Sequence, residues 1–486
     1  MYLGLDIGTS GVKAVLIDDA QRLIGTATAP LNILRERSGY SEQQPEWWWE
    51  ATKKAVAALK QQHQHALSGV KAIGLSGQMH GLVALDQHDH PLRPAILWND
   101  TRCAAEAAML DTQHPLFRTI GGNAVMARFT APKAEWMRVH EPDLFRQIRT
   151  ILLPKDYIRF CLSGAKISDM SDASGTLWLD IAKRDWSEDL LAACGLTVSQ
   201  MPALVEGSAP SALLSKEIAK DWGMQPDVVI AGGGGDNAAS AIGLGVIAPG
   251  DGLISLGTSG VVFAVTDQFA PAADSGAHAF CHALPHLWHQ MGVILSATDS
   301  VTWLAETTGL SVADLVEKMA TTNAMDIAPI FHPYLSGERT PHNNAHASGA
   351  FFDIKRHHHQ GDLMRAVIQG VSFAIADAYD VLAAAGGRPQ TLLATGGGSQ
   401  NATWLTTIAS IIGSPITIPK QSEIGAAMGA ARLAMLATGL PMDQVCTPPE
   451  RAETFTPDPK MADALRPARL KSQGLYHALM ALEQDA

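Results

Sequence analysis

Cysteine, aromatic residues and charge are all scarce in this chain. The cysteines, five in 486 residues at 103, 161, 194, 281 and 446, are odd in number, far apart and never in CxxC spacing. That argues against a disulfide framework or a cysteine-bound zinc site and suits reduced thiols in the cytosol. No run reaches the roughly 18 apolar residues of a membrane-spanning helix. The N-terminal MYLGLDIGTS lacks a basic segment and places Asp6 inside its only apolar stretch. A cytoplasmic chain with no targeting segment and no membrane partner is therefore expected. Basic patches are missing too. A net charge of −12 repels nucleic acid and anionic lipid at long range, so an anionic ligand must be gripped locally. The N-terminal unit contains neither the GxxxxGK[ST] of a P-loop nor a GxGxxG opening a helix, which counts against those nucleotide folds.

What is present is the balance of a compact protein, with 47% hydrophobic and 17% charged residues. The length exceeds the size at which one core stops growing, so two domains are expected. Two short strands, Tyr2 to Ile7 and Val12 to Ile17, flank the turn Gly8-Thr9-Ser10-Gly11. The same tetrapeptide returns 249 residues later at Gly257 to Gly260, again between apolar runs, in LISLGTSGVVFAVT. The economical reading is two related lobes, each opening with a strand, glycine turn, strand unit. The boundary falls in AIGLGVIAPGDG, giving lobes 1–246 and 247–486.

Between the hairpins, strand-like runs (VKAIGLS at 70–76, DVVIAGG at 227–233) alternate with amphipathic stretches. This pattern predicts α/β layers. Helices are expected over 47–59 and 363–382, and a last one from near Met461, after a loop over 447–459. His357 to His359 read as a polar loop, since neighbouring side chains diverge.

A Gly-Thr-Ser-Gly turn offers backbone N–H groups and hydroxyls to an anion, and phosphate is the natural guest. Asp6 precedes the first turn by two residues, whereas Ser255 holds the equivalent place before the second. A carboxylate beside one phosphate loop suits Mg²⁺, and Lys13 can place a positive charge by the same phosphates. Asp236 follows Gly232 to Gly235 at a strand-to-helix turn. There it can accept the proton of an attacking hydroxyl or simply cap the helix. A third turn, Gly396 to Gly398 with Asn401 beyond it, suits an adenine laid on bare backbone, or a tight turn with no ligand.

These residues resemble the FGGY family of carbohydrate kinases, within the actin-like ATPase superfamily. The likeness is carried by GLDIGTSGVK, GQMHG, WNDTR, FTAPKAEW, LPKDY, SDASGT, GGGDNAA, SLGTSG, YLSGERTPH and GGGSQN, in that order. GQMHG with GGGDNAA points to the branch acting on xylulose. Asp353, in GAFFDI, stands where the family commonly has glycine. The resemblance implies two ribonuclease H-like lobes around a central cleft, and ATP-dependent conversion of D-xylulose to D-xylulose 5-phosphate. It makes Asp236 the general base, with Met79, His80 and Asn237 lining the sugar site. Asp6 would position Mg²⁺, and Thr9, Lys13, Gly257 and Thr258 would approach the phosphates. Gly397, Gly398 and Asn401 would face the nucleoside, with Trp303 nearby. Dimers occur in the family, so a homodimer is compatible. Two alternatives stay open: a kinase for another ketose or polyol such as ribulose or glycerol, and a non-catalytic actin-like ATPase.

Overall fold

The structure is a computed structural model and describes residues 1–322, 328–420 and 425–484. Among them are two seven-stranded sheets with the same plan. In the first, Tyr2–Ile7 runs antiparallel to Gly11–Ile17, which runs antiparallel to Leu23–Pro30. On its other side Tyr2–Ile7 lies parallel to Ala72–Gly77, which is parallel to Val229–Ala231, with Pro210–Leu213 antiparallel at the edge. The second sheet repeats this order with Asp251–Leu256, Gly260–Thr266 and Trp288–Ile294 as the antiparallel meander. Thr391–Thr395 and Ile416–Pro419 follow in parallel, and Arg451–Phe455 closes the edge antiparallel. The mixed order shared by both sheets bears out the α/β expectation of two related lobes.

The strands form where apolar residues are continuous enough to be covered on both faces. Leu3, Leu5, Ile7, Val12, Ala14 and Leu16 enter one core with the helix Pro45–Ser68, while Tyr2, Val15 and Ile17 enter another. Burial of such side chains contributes roughly 1.5–3 kcal/mol each, which fixes the register of the meander. Gln360–Ala384 supplies the corresponding core of the second lobe. It is long and apolar enough to cross a membrane, yet 78% of its apolar window is buried inside the protein.

Two helices lie between the sheets and bring them together. Asp236–Gly243 shares a core with strands of the second lobe through Ala241, and Gly425–Ala437 lies against the first sheet. The approach is at backbone distance. A Cβ on Gly429 would stand 1.7 Å from the carbonyl oxygen of Ala239, and one on Gly74 1.7 Å from that of Ala430. Arg432 donates to the carbonyls of Ile242 and Gly243 at 3.0 and 3.2 Å, closing the C-terminal end of the Asp236 helix.

One expectation needs correcting. The segment 447–459 is not wholly a loop: Arg451–Phe455 pairs with Ile416–Pro419 as an edge strand. Its own residues are mostly exposed and carry little apolar pattern, so the pairing comes from the neighbouring strand and not from local preference. The final helix, Pro459–Gln484, begins close to its expected start, and His357 to His359 do lie in a loop.

Candidate active site

Both glycine turns stand at the ends of their sheets' central hairpins. In the first, the Gly8 N–H donates to the Gly11 carbonyl at 3.0 Å, and in the second the Gly257 N–H donates to that of Ser259 at 3.0 Å. Identical tetrapeptides thus close with loops one residue different in length. The third turn lies against the second: a Cβ on Gly396, whose φ is +86°, would meet the Leu256 carbonyl oxygen at 2.6 Å and the Gly257 nitrogen at 3.1 Å. Gly397 faces open space, whereas Gly398 is buried against Leu256 and Trp404. Asn401 caps the helix Ala402–Ile412, its Oδ1 accepting from the Trp404 N–H at 3.0 Å. Thr258 is exposed at the hairpin tip, and its carbonyl accepts from the Ala297 N–H just ahead of the helix Thr298–Thr308. Trp303 lies on that helix and stacks on Phe331 and Phe351, with ring centroids 6.0 and 6.2 Å away.

Between the lobes lies a cavity of about 330 Å³. Met79, His80, Asp236 and Asn237 line it from the first lobe, and Ser255 and Ser259, of the second glycine hairpin, from the other. The expected sugar-site residues therefore meet in one place. Asp236 is brought there by the strand Ala72–Gly77, which pairs with Gly234–Gly235 and hands the chain into the helix beginning at Asp236. A Cβ on Gly235 would stand 2.8 Å from the sulfur of Met79, so glycine lets that side chain lie close against the turn.

Burial and then the charge of Asp6 raise the Asp236 carboxyl to about 7, against two hydrogen bonds from Asn237. Those bonds, 2.7 Å from the backbone N–H and 2.9 Å from Nδ2, both fall on Oδ1 and hold the carboxylate in one orientation. Asp6 faces Lys13 and Ser76 in the strand registers. Burial raises its pKa, and those two neighbours pull it back. The Thr9 hydroxyl donates to Gln78 Oε1 and accepts from Trp98 Nε1, both at 2.9 Å, tying the first glycine turn to the loop that carries Met79 and His80.

His80 adopts φ of +69°, a conformation uncommon outside glycine. Its Nδ1 lies 2.8 Å from the Gly175 carbonyl. A carbonyl only accepts, so Nδ1 carries the proton and Nε2 is left as an acceptor. Burial, with Lys133 nearby, depresses its pKa to about 3, so the ring is neutral. The loop is held from below by Lys133, whose Nζ donates to the carbonyls of His80 at 2.8 Å and Arg128 at 2.7 Å. The short helix Met170–Ser174 does the same for Asp236. The Gly235 N–H donates to Ser171 Oγ at 3.1 Å, and Ser171 Oγ donates to Asp169, itself ion-paired to the buried Lys155 at 2.7 Å.

Sequence reasoning missed several cavity residues: Trp98, Arg128, Phe129, His278, Phe280 and Arg339. Trp98, Phe129 and Arg339 fall inside the motifs WNDTR, FTAPKAEW and YLSGERTPH, and Arg128 immediately precedes the second. That was the available signal, but nothing local showed these residues converging.

Comparison with known proteins agrees with this geometry. Residues 1–243 match the N-terminal domain of the FGGY family of carbohydrate kinases, and residues 252–438 its C-terminal domain. The chain is 46% identical over 485 residues to xylulose kinase of Escherichia coli K12, covering 99% of this chain and 100% of that one. It is 44% identical to xylulose kinase of Klebsiella pneumoniae, covering 93% and 95%. Among solved structures it superposes on one from Brucella ovis described as a xyloylose kinase, with a TM-score of 0.97, 48% identity and 99% of each chain covered. With both domains matched in order around a cleft that gathers the expected residues, the chain belongs to the FGGY family of carbohydrate kinases.

Proposed function

We propose that this chain transfers the γ-phosphoryl group of ATP to the terminal hydroxyl of D-xylulose, giving D-xylulose 5-phosphate and ADP, with Asp236 as general base. The observation that carries this reading is the meeting of Asp236, Met79 and His80 with the second glycine hairpin in one cavity between the lobes. Xylulose is the substrate named for the E. coli and Klebsiella relatives. Residues 1–246 act as the sugar lobe and residues 247–486 as the nucleotide lobe.

A carboxyl near 7 is half ionised at neutral pH, which suits a group that takes a proton as the P–O bond forms. Phosphoryl transfer asks little of the base and much of positioning. The Asn237 bonds to Oδ1 leave Oδ2 for the substrate hydroxyl. His80 Nε2 accepts from a sugar hydroxyl, Met79 packs on the carbon face, and Arg128 and Arg339 donate to the remaining oxygens. Thr9, Lys13, Gly257 and Thr258 serve the phosphates, and Gly397, Gly398 and Asn401 the nucleoside, with Trp303 supporting from its helix.

Mg²⁺ fits the donor set beside the first hairpin. Asp6 is a half-buried carboxylate that acts on Asp236, so the two place negative charge where a cation with phosphate and water ligands is satisfied. Asp6 would hold it, and the ion would neutralise phosphate charge. Closure of the lobes about residues 247–252 would keep water from competing for the phosphoryl group. We place the enzyme in the cytoplasm. The test is one coupled assay across ketoses and polyols, reading ADP and sugar phosphate together. Preferential turnover of D-xylulose is expected. ADP release without sugar phosphate, or a clear preference for ribulose or glycerol, would replace this reading.

A further inference from the structure

A single buried amide, that of Gln43, joins the first glycine turn to the loop that carries Met79 and His80. Gln43 ends the short strand Glu42–Gln43, which pairs antiparallel with Ala95–Ile96 just ahead of Trp98, and the helix Pro45–Ser68 follows it. Gln43 and Trp48 are fully buried, and Gln78 is 3% exposed. A buried amide with unmet groups destabilises a fold, and here all four hydrogen-bonding positions are filled. Nε2 donates to the carbonyls of Thr9 and Asn32, both at 2.8 Å. Oε1 accepts from Trp48 Nε1 at 2.8 Å and from Gln78 Nε2 at 3.0 Å.

These partners fix every proton along the chain. Carbonyls only accept and an indole N–H only donates, so the Gln43 amide has one possible orientation. Gln78 then turns Nε2 to Gln43 and Oε1 to Thr9, whose hydroxyl donates to it at 2.9 Å. With its one proton given to Gln78, the Thr9 oxygen accepts from Trp98 Nε1 at 2.9 Å. The chain thus runs between two indoles, from Trp48 in the core to Trp98 on the wall of the cavity between the lobes. Gln43 also holds the Thr9 carbonyl itself, so both the backbone and the hydroxyl of that turn are set from one side chain. Thr9 therefore has its backbone, not its hydroxyl proton, to offer a phosphate. Gln78 is tied to the same strand end by its main chain, its N–H donating to the Ile7 carbonyl at 2.9 Å. Met79 and His80 follow it directly, at a spacing from the Gly8–Gly11 turn that these bonds fix.

We infer that Gln43 is a positioning residue for both substrates. Through Thr9 it sets the turn that meets the phosphates, and through Gln78 and Trp98 it sets the sugar side of the cleft. The inference rests on the kinase reading above. Phosphoryl transfer depends on holding two reactants in register, and a displacement of about 1 Å can cost on the order of 10²-fold in rate. A neutral amide whose donors and acceptors are all used holds a turn and a loop at one spacing, with no charge to disturb the phosphates.

The experiment measures the affinity of each ligand alone, adenylyl imidodiphosphate with Mg²⁺ and D-xylulose, for wild type and Gln43→Met by equilibrium titration below the melting temperature. Methionine keeps the length of the side chain and removes the hydrogen bonds of the amide. Both affinities should fall by at least ~5-fold, the loss of roughly one net hydrogen bond. A merely structural role would lower the melting temperature and leave the affinities of the folded protein unchanged. That result overturns the inference, and so does a loss confined to one ligand. If circular dichroism shows Gln43→Met unfolded, Gln78→Met, which cuts the chain between Gln43 and the Thr9 hydroxyl, takes its place with the same expectation. The route is tested in the Thr9→Val background, where Gln78→Met should cost the nucleotide nothing further, and a full second loss there overturns it. Wild type separates the two claims. If it binds both ligands and the variants do so equally well, only the role of Gln43 falls, and if it binds neither, the kinase reading falls.

Discussion

The carboxylate of Asp6 raises the pKa of Asp236, although one ends a central strand of the first sheet and the other opens the helix between the lobes. The groups proposed for the metal and for the base are therefore coupled before any ligand binds. Base catalysis needs ionised Asp236, so kcat/KM for the sugar should rise with pH through about 7. In Asp6→Asn the like charge is gone, and the limb should move to lower pH. The pH profiles of both proteins check this, and coincident limbs would uncouple the pair.

The same shift has a consequence for stability. A carboxyl whose folded pKa lies above its unfolded value binds its proton more readily in the folded state. The fold therefore loses stability as pH climbs from about 4 to the folded value near 7. Asp236→Asn removes that loss. It should be more stable than wild type by about 1–3 kcal/mol at pH 8, and nearly equal at pH 4. Thermal melts at both values decide it, and a destabilised Asp236→Asn at pH 8 would contradict it.

For Asp6, the expected effect on metal use is direct. Asp6→Asn should raise the Mg²⁺ concentration needed for half-maximal turnover and lower kcat, with the sugar KM little changed. An unchanged magnesium titration would remove Asp6 from the metal.

Much of this was legible in the sequence, and the parts that were not share a cause. Tyr2–Ile7 and Gly11–Ile17 could be read because apolar runs broken by a glycine turn specify a hairpin locally. Asp236 could be read because glycines force a strand-to-helix turn around it. Arg451–Phe455 could not, since its pairing depends on Ile416–Pro419. Nor could Arg128 and Arg339, which the fold brings together with His80 and His278 from four separate stretches of chain. Asn401 and Gly398 have structural work of their own, capping and close packing, that their motif alone did not distinguish from ligand binding.

His80 should govern which sugar is used. Its neutral Nε2 is an acceptor that a bound hydroxyl satisfies, and a site built this way rejects an analogue lacking the group by as much as ~10⁴-fold. His80→Ala should therefore reduce the preference for D-xylulose over glycerol in kcat/KM, while the KM for ATP changes little. An unchanged ratio would leave His80 without this role.

The helix pair between the lobes makes a packing prediction with an internal control. Gly429→Ala would drive a Cβ to 1.7 Å from the Ala239 carbonyl oxygen, backbone against backbone, and should cost about 3 kcal/mol or more. Gly474→Ala, in the final helix with no heavy atom near its added Cβ, should stabilise by roughly 0.5–1 kcal/mol. Denaturant titrations of both variants measure the contrast. Equal stabilities would mean that the lobes are not held by this contact.

The central claim is that Asp236 takes the proton of the sugar hydroxyl, and Asp236→Asn tests it most directly because the amide keeps the shape and removes the base. The measurement is single-turnover phosphorylation of D-xylulose at pH 8, with ATP affinity measured in parallel. The account predicts a folded protein that binds ATP as wild type does and is slower in phosphoryl transfer by about 10²- to 10⁴-fold. Transfer at close to the wild-type rate would contradict it.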